Sequence, residues 1–298
     1  MSRYSERRIR LVTRKTRLDG LIIRHNTVTQ ARFAIESQGG SFLDIENEHH
    51  QFCEIKSRVQ TLLDSYGRLE LLPREYVPNY MFGSDDWVVC LGQDGLVANV
   101  LKYLPTQTVV GVNPDISRWD GLLLPFDFAS LSASMKQIID NKLPTREVKL
   151  AEASFNDGQV IRAVNDLFIG ANSHVSARYA IKFKNKTENQ SSSGIIISTG
   201  LGSTGWYSSL AADRATNPWD ISSKELRFTV REPFYSKTTG NKLVRGVLLN
   251  DDKLTIESNM GEKGVVFSDG IETDSVEFNA GTIVKITVSA QSGWLLRP

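Results

Sequence analysis

The feature that most constrains the fold is a change in the spacing of apolar residues near Pro144. Before it, two continuous apolar runs, Trp87–Leu91 and Thr108–Val112, flank a glycine-containing loop and a helical stretch that stops at Pro105. Continuous apolar runs are typical of buried parallel strands, and strand–loop–helix–strand is the unit from which α/β domains are built. The sequence therefore predicts an α/β domain with a parallel sheet, covering residues 1–143.

After Pro144 the chain is a series of short strand-like runs separated by turn sequences such as Asn156-Asp157-Gly158. Short runs at this spacing indicate an antiparallel, sandwich-like domain, so residues 144–298 are predicted to form a β-rich second domain. The polar stretch 184–193 is predicted to be a mobile hairpin tip. The predicted strands are 160–164, 178–183, 194–198, 226–230, 244–249, 253–257, 265–268, 276–278 and 283–288.

The N-terminal region is predicted to be helical over residues 19–37 and 43–66, and the parallel domain is predicted to carry further helices at 96–104 and about 128–141. The first residues are basic, and no apolar segment of a secretory signal follows them. We interpret them as a solvated or partner-contacting tail, with a phosphate-rich partner as the alternative. The basic residues are Arg3, Arg7, Arg8, Arg10, Arg14, Lys15 and Arg17.

Composition excludes several classes of protein. With 40% hydrophobic residues, 35 Lys+Arg and 34 Asp+Glu, the chain is globular and almost neutral, and the lack of a basic excess argues against a nucleic-acid partner. No run approaches the roughly 18 apolar residues of a membrane span. Cys53 and Cys90 form no CxxC pair, and the four histidines lack metal-ligand spacing, so we expect reduced thiols, a cytoplasmic location and no protein-bound metal.

The loop Gly92-Gln93-Asp94-Gly95 lies between a predicted strand and a predicted helix. Backbone N–H groups at a helix N-terminus favour phosphate, and glycines allow close approach of a ligand. A carboxylate repels phosphate, so Asp94 fits this position if it orients a hydroxyl or accepts its proton. The alternative is that Asp94 caps the helix.

Three later segments contain polar residues at strand ends. Asn165-Asp166 can bind ribose hydroxyls or form an ordinary turn, and Asp269-Gly270 has the pattern of a hairpin turn. The segment from Thr199 to Trp206 contains glycines and hydroxyls beside an aromatic ring, which suits a flat heterocycle. The chain has no Walker P-loop, no Rossmann glycine pattern after Trp87–Leu91 and no Gly-x-Ser-x-Gly elbow.

Taken in order, these motifs resemble those of the NAD kinase family. Gly92-Gln93-Asp94-Gly95 is similar to the family's Gly-Gly-Asp-Gly loop, and Gly111-Val112-Asn113 to the segment that follows one strand later. Asn165-Asp166, Gly202-Ser203-Thr204-Gly205-Trp206 and Asp269-Gly270 complete the set. The resemblance covers residues 84–298 and implies the same two-domain fold that the spacing predicts.

The resemblance also implies roles. Asp94 would be the general base at the 2′-hydroxyl of the adenosine ribose of NAD or NADH. The phosphoryl donor would be ATP with Mg²⁺ on its phosphates, and the chain would form a homo-oligomer, either a dimer or a tetramer. The nucleotide-binding residues would be Gly92, Gln93, Gly95, Asn113, Asn165, Asp166, Thr199, Gly202, Ser203, Thr204, Trp206 and Asp269.

The chain departs from the family pattern in several places. Gln93 replaces a glycine, Asp166 a glutamate and Trp206 a tyrosine, and Pro114-Asp115 follows Asn113 in place of Thr-Gly. We also expect the chain to lack the returning C-terminal segment of many members. Gly-Gln-Asp-Gly occurs in a branch labelled sugar kinase, so two alternatives stay open: a kinase with a nucleoside, sugar or lipid acceptor, and a non-catalytic dinucleotide sensor.

Overall fold

The computed structural model describes residues 4–210 and 217–298, which divide into two units. The first unit is Met1–Arg146 with Trp294–Pro298, and the second is Glu147–Gly293. Arg3, the first residue of the predicted basic tail, lies outside the described residues.

The first unit is an α/β structure built on parallel strands. Strands β1 to β4 pair in the order β2-β1-β3-β4, and all of these pairs are parallel. Its elements are β1 (Arg8–Thr13), α1 (Arg17–His25), α2 (Val28–Glu36), α3 (Phe42–Tyr66), β2 (Arg68–Pro73), β3 (Trp87–Leu91), α4 (Asp94–Leu101), β4 (Thr108–Val112) and α5 (Phe128–Ile139).

Local capping explains where the N-terminal helices begin. The Thr16 hydroxyl accepts from the N–H of Asp19 in a capping box that starts α1, and the Ser41 hydroxyl accepts from the N–H of Asp44 at the start of α3. The single helix predicted for residues 19–37 is wrong, because Asn26 adopts a φ of 67° and Thr27 caps a second helix. Local side chains therefore divide this region into α1 and α2.

The parallel sheet buries alternate residues against α3 and α5. Leu11, Val89 and Val110 contact Val59 of α3 and Leu131 of α5 in one apolar cluster. Their neighbours along each strand point to the opposite face of the sheet and are also buried. Burial on both faces is what the continuous apolar runs predict, and the predicted parallel sheet is confirmed.

The prediction of a solvated basic tail is wrong for residues 8–13, because they form β1 between β2 and β3. Ile9 and Leu11 supply the buried apolar positions. Arg10 is itself buried, and its guanidinium is neutralised by Asp86 (Nε to Oδ2, 3.0 Å) and Glu70. Paired carboxylates allow a charged residue to occupy an interior strand.

The second unit is a β-sandwich. One sheet runs β16-β13-β8-β9, with β5 paired to β16 and β6 paired to β5. The other sheet is antiparallel and runs β12-β11-β10-β7-β14-β15. The elements are β5 (Thr145–Phe155), β6 (Val160–Ala163), β7 (Asp166–Ala171), β8 (Ala177–Phe183), β9 (Lys186–Ser192), β10 (Ile195–Ser198), α6 (Trp206–Leu210), β11 (Glu225–Val230), β12 (Arg245–Leu249), β13 (Leu254–Ser258), β14 (Gly264–Ser268), β15 (Ile271–Glu277) and β16 (Ile283–Leu296).

Apolar side chains from both sheets form a single core, with Ile181 and Ile256 from one sheet and Leu167, Ile197 and Phe228 from the other. The predicted sandwich-like domain is therefore confirmed. Strands β5 and β7 were absent from the prediction, although both are largely buried.

The prediction of a mobile hairpin tip at 184–193 is wrong, because β9 pairs with β8 along its whole length. Gln190 and Ser192 are buried, and their side chains hydrogen-bond the hydroxyl of Tyr179 at 3.1 Å and 2.7 Å. A polar strand is stable here because its buried polar atoms have partners.

The expected lack of a returning C-terminal segment is also wrong. The last residues of β16 leave the sandwich and pair with β4, placing Trp294 opposite Thr108 and Leu295 opposite Val109 in parallel register. These residues thereby extend the sheet of the first unit by one more parallel strand, next to β4.

Arg10 provides a test of the strand assignment. Arg10→Gln should lower the free energy of unfolding by about 3 kcal/mol, because it leaves the buried Asp86 carboxylate without its ion partner. Arg8→Gln, at an exposed position of the same strand, should change it by less than about 0.5 kcal/mol. Urea unfolding of both variants measures the difference, and equal effects would contradict the buried-strand assignment.

Candidate functional site

The loop after β3 presents the N-terminus of α4 at the carboxyl end of the parallel sheet. Gln93 is the N-cap residue and its side chain makes no capping hydrogen bond, while Asp94 is the first residue of the helix. A Cβ added at Gly95 would meet no atom of the described residues within 4 Å, and Gly95 is exposed, so the backbone here is open to solvent. An open helix N-terminus at this edge of a parallel sheet is suited to an anionic ligand.

Asp94 does not cap α4, so that alternative is wrong. Its carboxylate Oδ1 accepts a hydrogen bond of 2.6 Å from the backbone N–H of Leu123, 29 residues further along the chain. The side chain is half-buried. This contact fixes one carboxylate oxygen and leaves the second one as a hydrogen-bond acceptor.

The loop that carries Leu123 starts at Asn113, directly after β4. The amide Nδ2 of Asn113 donates to the carbonyl of Trp119 at 3.1 Å, and its Oδ1 accepts from the N–H of Asp115 at 2.9 Å. Gly111 packs against this loop so closely that a Cβ would lie 1.9 Å from the carbonyl oxygen of Leu123. Asn113 therefore supports the loop, and its role in nucleotide binding stays a prediction.

Two basic residues that were predicted to belong to a solvated tail, Arg14 and Lys15, lie at this edge of the sheet. Arg14 and Lys15 follow β1 directly and line a small cavity together with Gly92, Gln93 and Asp115. The signal that could have located them is the alternation of Ile9 and Leu11 just before them, since parallel strands end at a common edge. Lys15 is paired with Glu75 at 3.2 Å, and Arg14 adds positive charge beside the open N-terminus of α4.

In the second unit, the carboxylate of Asp269 organises the segment before β7. It accepts hydrogen bonds from the N–H groups of Val164 (3.1 Å), Asn165 (2.6 Å) and Asp166 (3.4 Å). Asp269 adopts a φ of 53° at the turn between β14 and β15, a conformation that aspartate tolerates. The structure thus brings Asp269 together with Asn165 and Asp166, which lie more than 100 residues earlier in the sequence.

The segment after β10 closes onto the same cluster. The Thr199 hydroxyl donates to the carbonyl of Val164 at 2.5 Å, and the Thr199 N–H donates to the carbonyl of Asn165 at 2.9 Å. A Cβ on Gly202 would lie 2.2 Å from the same Asn165 oxygen, so only glycine fits there. The hydroxyl of Ser203 is buried and has no hydrogen-bond partner among the residues that the structure describes, which makes it a candidate ligand contact.

Asp166 is the buried carboxylate of this cluster. The pKa of Asp166 is raised to about 7, mainly by burial and secondly by the negative charge of Asp269. Near neutral pH this group therefore exists in both its protonated and its ionised form. Perturbed carboxyls of this kind are common at functional sites and also occur in structural clusters.

Trp206 and Thr204 are placed differently from the rest of the motif. Thr204 is exposed, whereas the Trp206 ring stacks on Phe168 with centroids 5.8 Å apart and has the Arg231 guanidinium 5.3 Å from its centre. Phe267 also stacks on Phe168 and extends this aromatic cluster on the outer face of the sheet that contains β7 and β14. The ring of Trp206 is thus engaged by the protein, and its role at a nucleotide base stays a prediction.

In residues 4–210 and 217–298, no group of three or more His, Cys, Asp or Glu side chains is arranged to hold a metal ion. Across those same residues, no helix is both long enough and apolar enough to cross a membrane.

Comparisons with known proteins identify the fold. No protein-family profile and no curated protein sequence matches the chain. Among solved structures, it is similar to an NAD kinase from Archaeoglobus fulgidus in complex with ATP, with 18% identity, 97% of this chain and 93% of that chain covered, and a TM-score of 0.61. It is also similar to yeast NADH kinase complexed with NADH, with 14% identity, 99% and 84% coverage, and a TM-score of 0.63. The fold is NAD kinase-like, as the motifs predicted.

The pKa of Asp166 makes a prediction about stability. The unfolded chain loses this proton near pH 4, but the folded chain keeps it until about pH 7, so the carboxyl destabilises the fold progressively across that range. The free energy of unfolding of Asp166→Asn, compared with that of the wild type, should therefore be about 1–3 kcal/mol more favourable to the fold at pH 8 than at pH 4.5. Urea unfolding at both pH values measures this gain, and a difference independent of pH would contradict it.

Proposed function

We propose that this protein is an ATP-dependent kinase that phosphorylates the 2′-hydroxyl of the adenosine ribose of NAD or NADH. The observation that carries the proposal is the Asp94 carboxylate, anchored by the Leu123 N–H at the open N-terminus of α4. A carboxylate next to a phosphate site is unfavourable unless it handles a proton. The NAD kinase-like fold supports the same reaction.

The triphosphate of the donor is proposed to lie against Gly92, Gln93 and Gly95. The N–H groups and dipole of α4 would stabilise its negative charge, and Arg14 would add to the positive potential. Mg²⁺ would arrive with ATP as part of the substrate. Magnesium in such sites keeps several waters and binds mainly through the phosphates, so it needs few protein ligands.

The nucleotide acceptor is proposed to bind the cluster in the second unit. Asn165 and Asp166 would hold ribose and base, and the unpartnered Ser203 hydroxyl would bond to the ligand. Asp269 and Thr199 would act mainly by fixing the backbone of residues 164–166. Gly202 would permit the close packing of the two segments, and Thr204 and Trp206 would border the base.

In the proposed reaction, the second oxygen of Asp94 accepts the proton of the 2′-hydroxyl. The hydroxyl oxygen forms a bond to the γ-phosphorus as the bond to the β–γ bridging oxygen breaks, and ADP leaves. Little covalent work is needed from the protein, because phosphoryl transfer depends mainly on positioning and charge neutralisation. A homo-oligomer and a cytoplasmic location remain predictions of the resemblance.

A second candidate is a kinase of the same fold with another hydroxyl acceptor. It is favoured by the loop after Asn113, where Asp115 accepts hydrogen bonds from Ser117 and where Pro114 and Trp119 border the cavity beside Gln93. This arrangement differs from the Thr-Gly of the resemblance. Measuring ADP release with Mg·ATP and a panel of nucleosides, sugars and lipids separates the two candidates.

Asp94→Asn tests the reaction. The amide keeps an oxygen for the Leu123 N–H but cannot take the proton, so NADP formation should fall about 10²- to 10⁴-fold while NAD binding changes less than about twofold. Asp85→Asn, an exposed position of the same unit, is the control. Normal turnover by Asp94→Asn would contradict the role of the carboxylate. Tight NAD binding without ATP consumption by the wild type would favour the sensor.

Gly95→Ala tests the phosphate site. The methyl group meets no protein atom, so stability should hold or rise by up to about 1 kcal/mol, whereas Mg·ATP should bind about tenfold more weakly because the methyl occupies the approach to the backbone. Gly20→Ala in α1, also in open space, is the matched control. Unchanged Mg·ATP affinity of Gly95→Ala by calorimetry would place the phosphates elsewhere.

A further inference from the structure

The position of Asp94 depends on a loop that is distant in sequence. Residues 113–124, here called the β4 loop, end next to Asp94, and the Leu123 N–H of this loop is the donor to the Asp94 carboxylate. A displacement of this loop would release the carboxylate oxygen that the hydrogen bond fixes. Displacements of about 1 Å at a reacting group can cost up to about 100-fold in rate.

The middle of the β4 loop is tied to helix α3 by one arginine. Arg118 contacts Asp44 through both terminal nitrogens, with Nη2 2.7 Å from Oδ1 and Nη1 3.2 Å from Oδ2. A weaker contact of 3.7 Å joins Arg118 to Glu48, one turn further along α3. Two parallel N–H···O bonds fix the orientation of both side chains and are stronger than a single contact.

A second arginine completes the network from the start of α1. Arg17 donates to Asp44 at 2.6 Å and to Glu48 at 2.5 Å. Hydrogen bonds from Arg118, and then from Arg17, hold the pKa of Asp44 well below its usual range, so the carboxylate stays charged at working pH. Two arginines, Arg118 from the β4 loop and Arg17 from α1, thus contact the same two carboxylates of α3.

The loop itself transmits this attachment. Asp115 lies 3.6 Å from the Arg118 Nε and accepts the N–H of Ser117, while Asn113 bonds the Trp119 carbonyl. The Leu124 N–H donates to the carbonyl of Gly121, which closes the turn that contains Leu123. Hydrogen bonds between residues close in sequence restrict the backbone of the loop, so a contact at Arg118 can affect the position of Leu123.

We propose that Arg118 is a positioning residue for Asp94, acting through the β4 loop and held by Asp44, Glu48 and Arg17. An isolated exposed ion pair contributes little, but a bidentate contact within a network of several charges is the arrangement in which such pairs matter. The proposal rests on the proposed role of Asp94 as the proton acceptor. It predicts that Arg118 affects turnover more than it affects substrate binding.

The test compares Arg118→Gln and Asp44→Asn with the wild type. Both should lower kcat about five- to thirtyfold while the KM values for Mg·ATP and NAD change less than about twofold, because the loop positions the base rather than the substrates. Arg118→Lys keeps the positive charge but cannot form the two-pronged contact with Asp44, so its kcat should lie between those of Arg118→Gln and the wild type. Arg32→Gln removes another ion pair of α3, to Glu46 at 2.8 Å, and should leave kcat unchanged.

Hydrogen exchange provides a readout that does not need turnover. In Arg118→Gln, the Leu123 amide and the rest of the β4 loop should exchange at least about tenfold faster, with no change in Arg32→Gln. Unchanged exchange overturns the proposal whatever the activity. Faster exchange with unchanged kcat overturns the positioning role. If the wild type phosphorylates no acceptor, the proposed function fails, and the Leu123 exchange still decides whether Arg118 holds the loop.

Discussion

The common ending of β1, β3 and β4 at one edge of a parallel sheet is the constraint on which the candidate site of the first unit depends. Parallel pairing places Arg14, Gly92 and Asn113 in neighbouring positions, although they are far apart in the sequence. The α4 N-terminus then faces the same edge. Asp94 acquires its fixed geometry only because the loop after β4 returns Leu123 to this edge.

The sequence predicted the parts of the fold that have a clear apolar pattern. Strands β3 and β4 were evident because they are buried on both faces, and most sandwich strands because turns separate them. Strand β1 was missed because arginines occupy alternate positions, and β9 because its buried residues are polar. Burial of Arg10 depends on Asp86, 76 residues away, and local spacing carries no information about such a partner.

The candidate site was predictable as a set of residues but not as a geometry. The motifs predicted polar residues at strand ends, and the structure places Asp94, Asn165 and Asp269 after or between strands. The partner of Asp94, however, is a backbone N–H, which has no sequence signature. The charge network of Arg118 was equally hidden, because its members come from α1, α3 and the β4 loop.

Three carboxyls of the motifs meet three different environments, and these environments separate their chemistry. Asp269 accepts three backbone N–H groups, which suits a fixed structural anion. Asp166 is buried beside it with a pKa near 7, so it can donate a hydrogen bond as well as accept one. Asp94 has one fixed oxygen and one left to accept, at an open helix N-terminus. Different environments give carboxyls different chemical properties, and the role proposed for Asp94 as a proton acceptor requires a carboxylate that keeps one oxygen available at an open helix N-terminus.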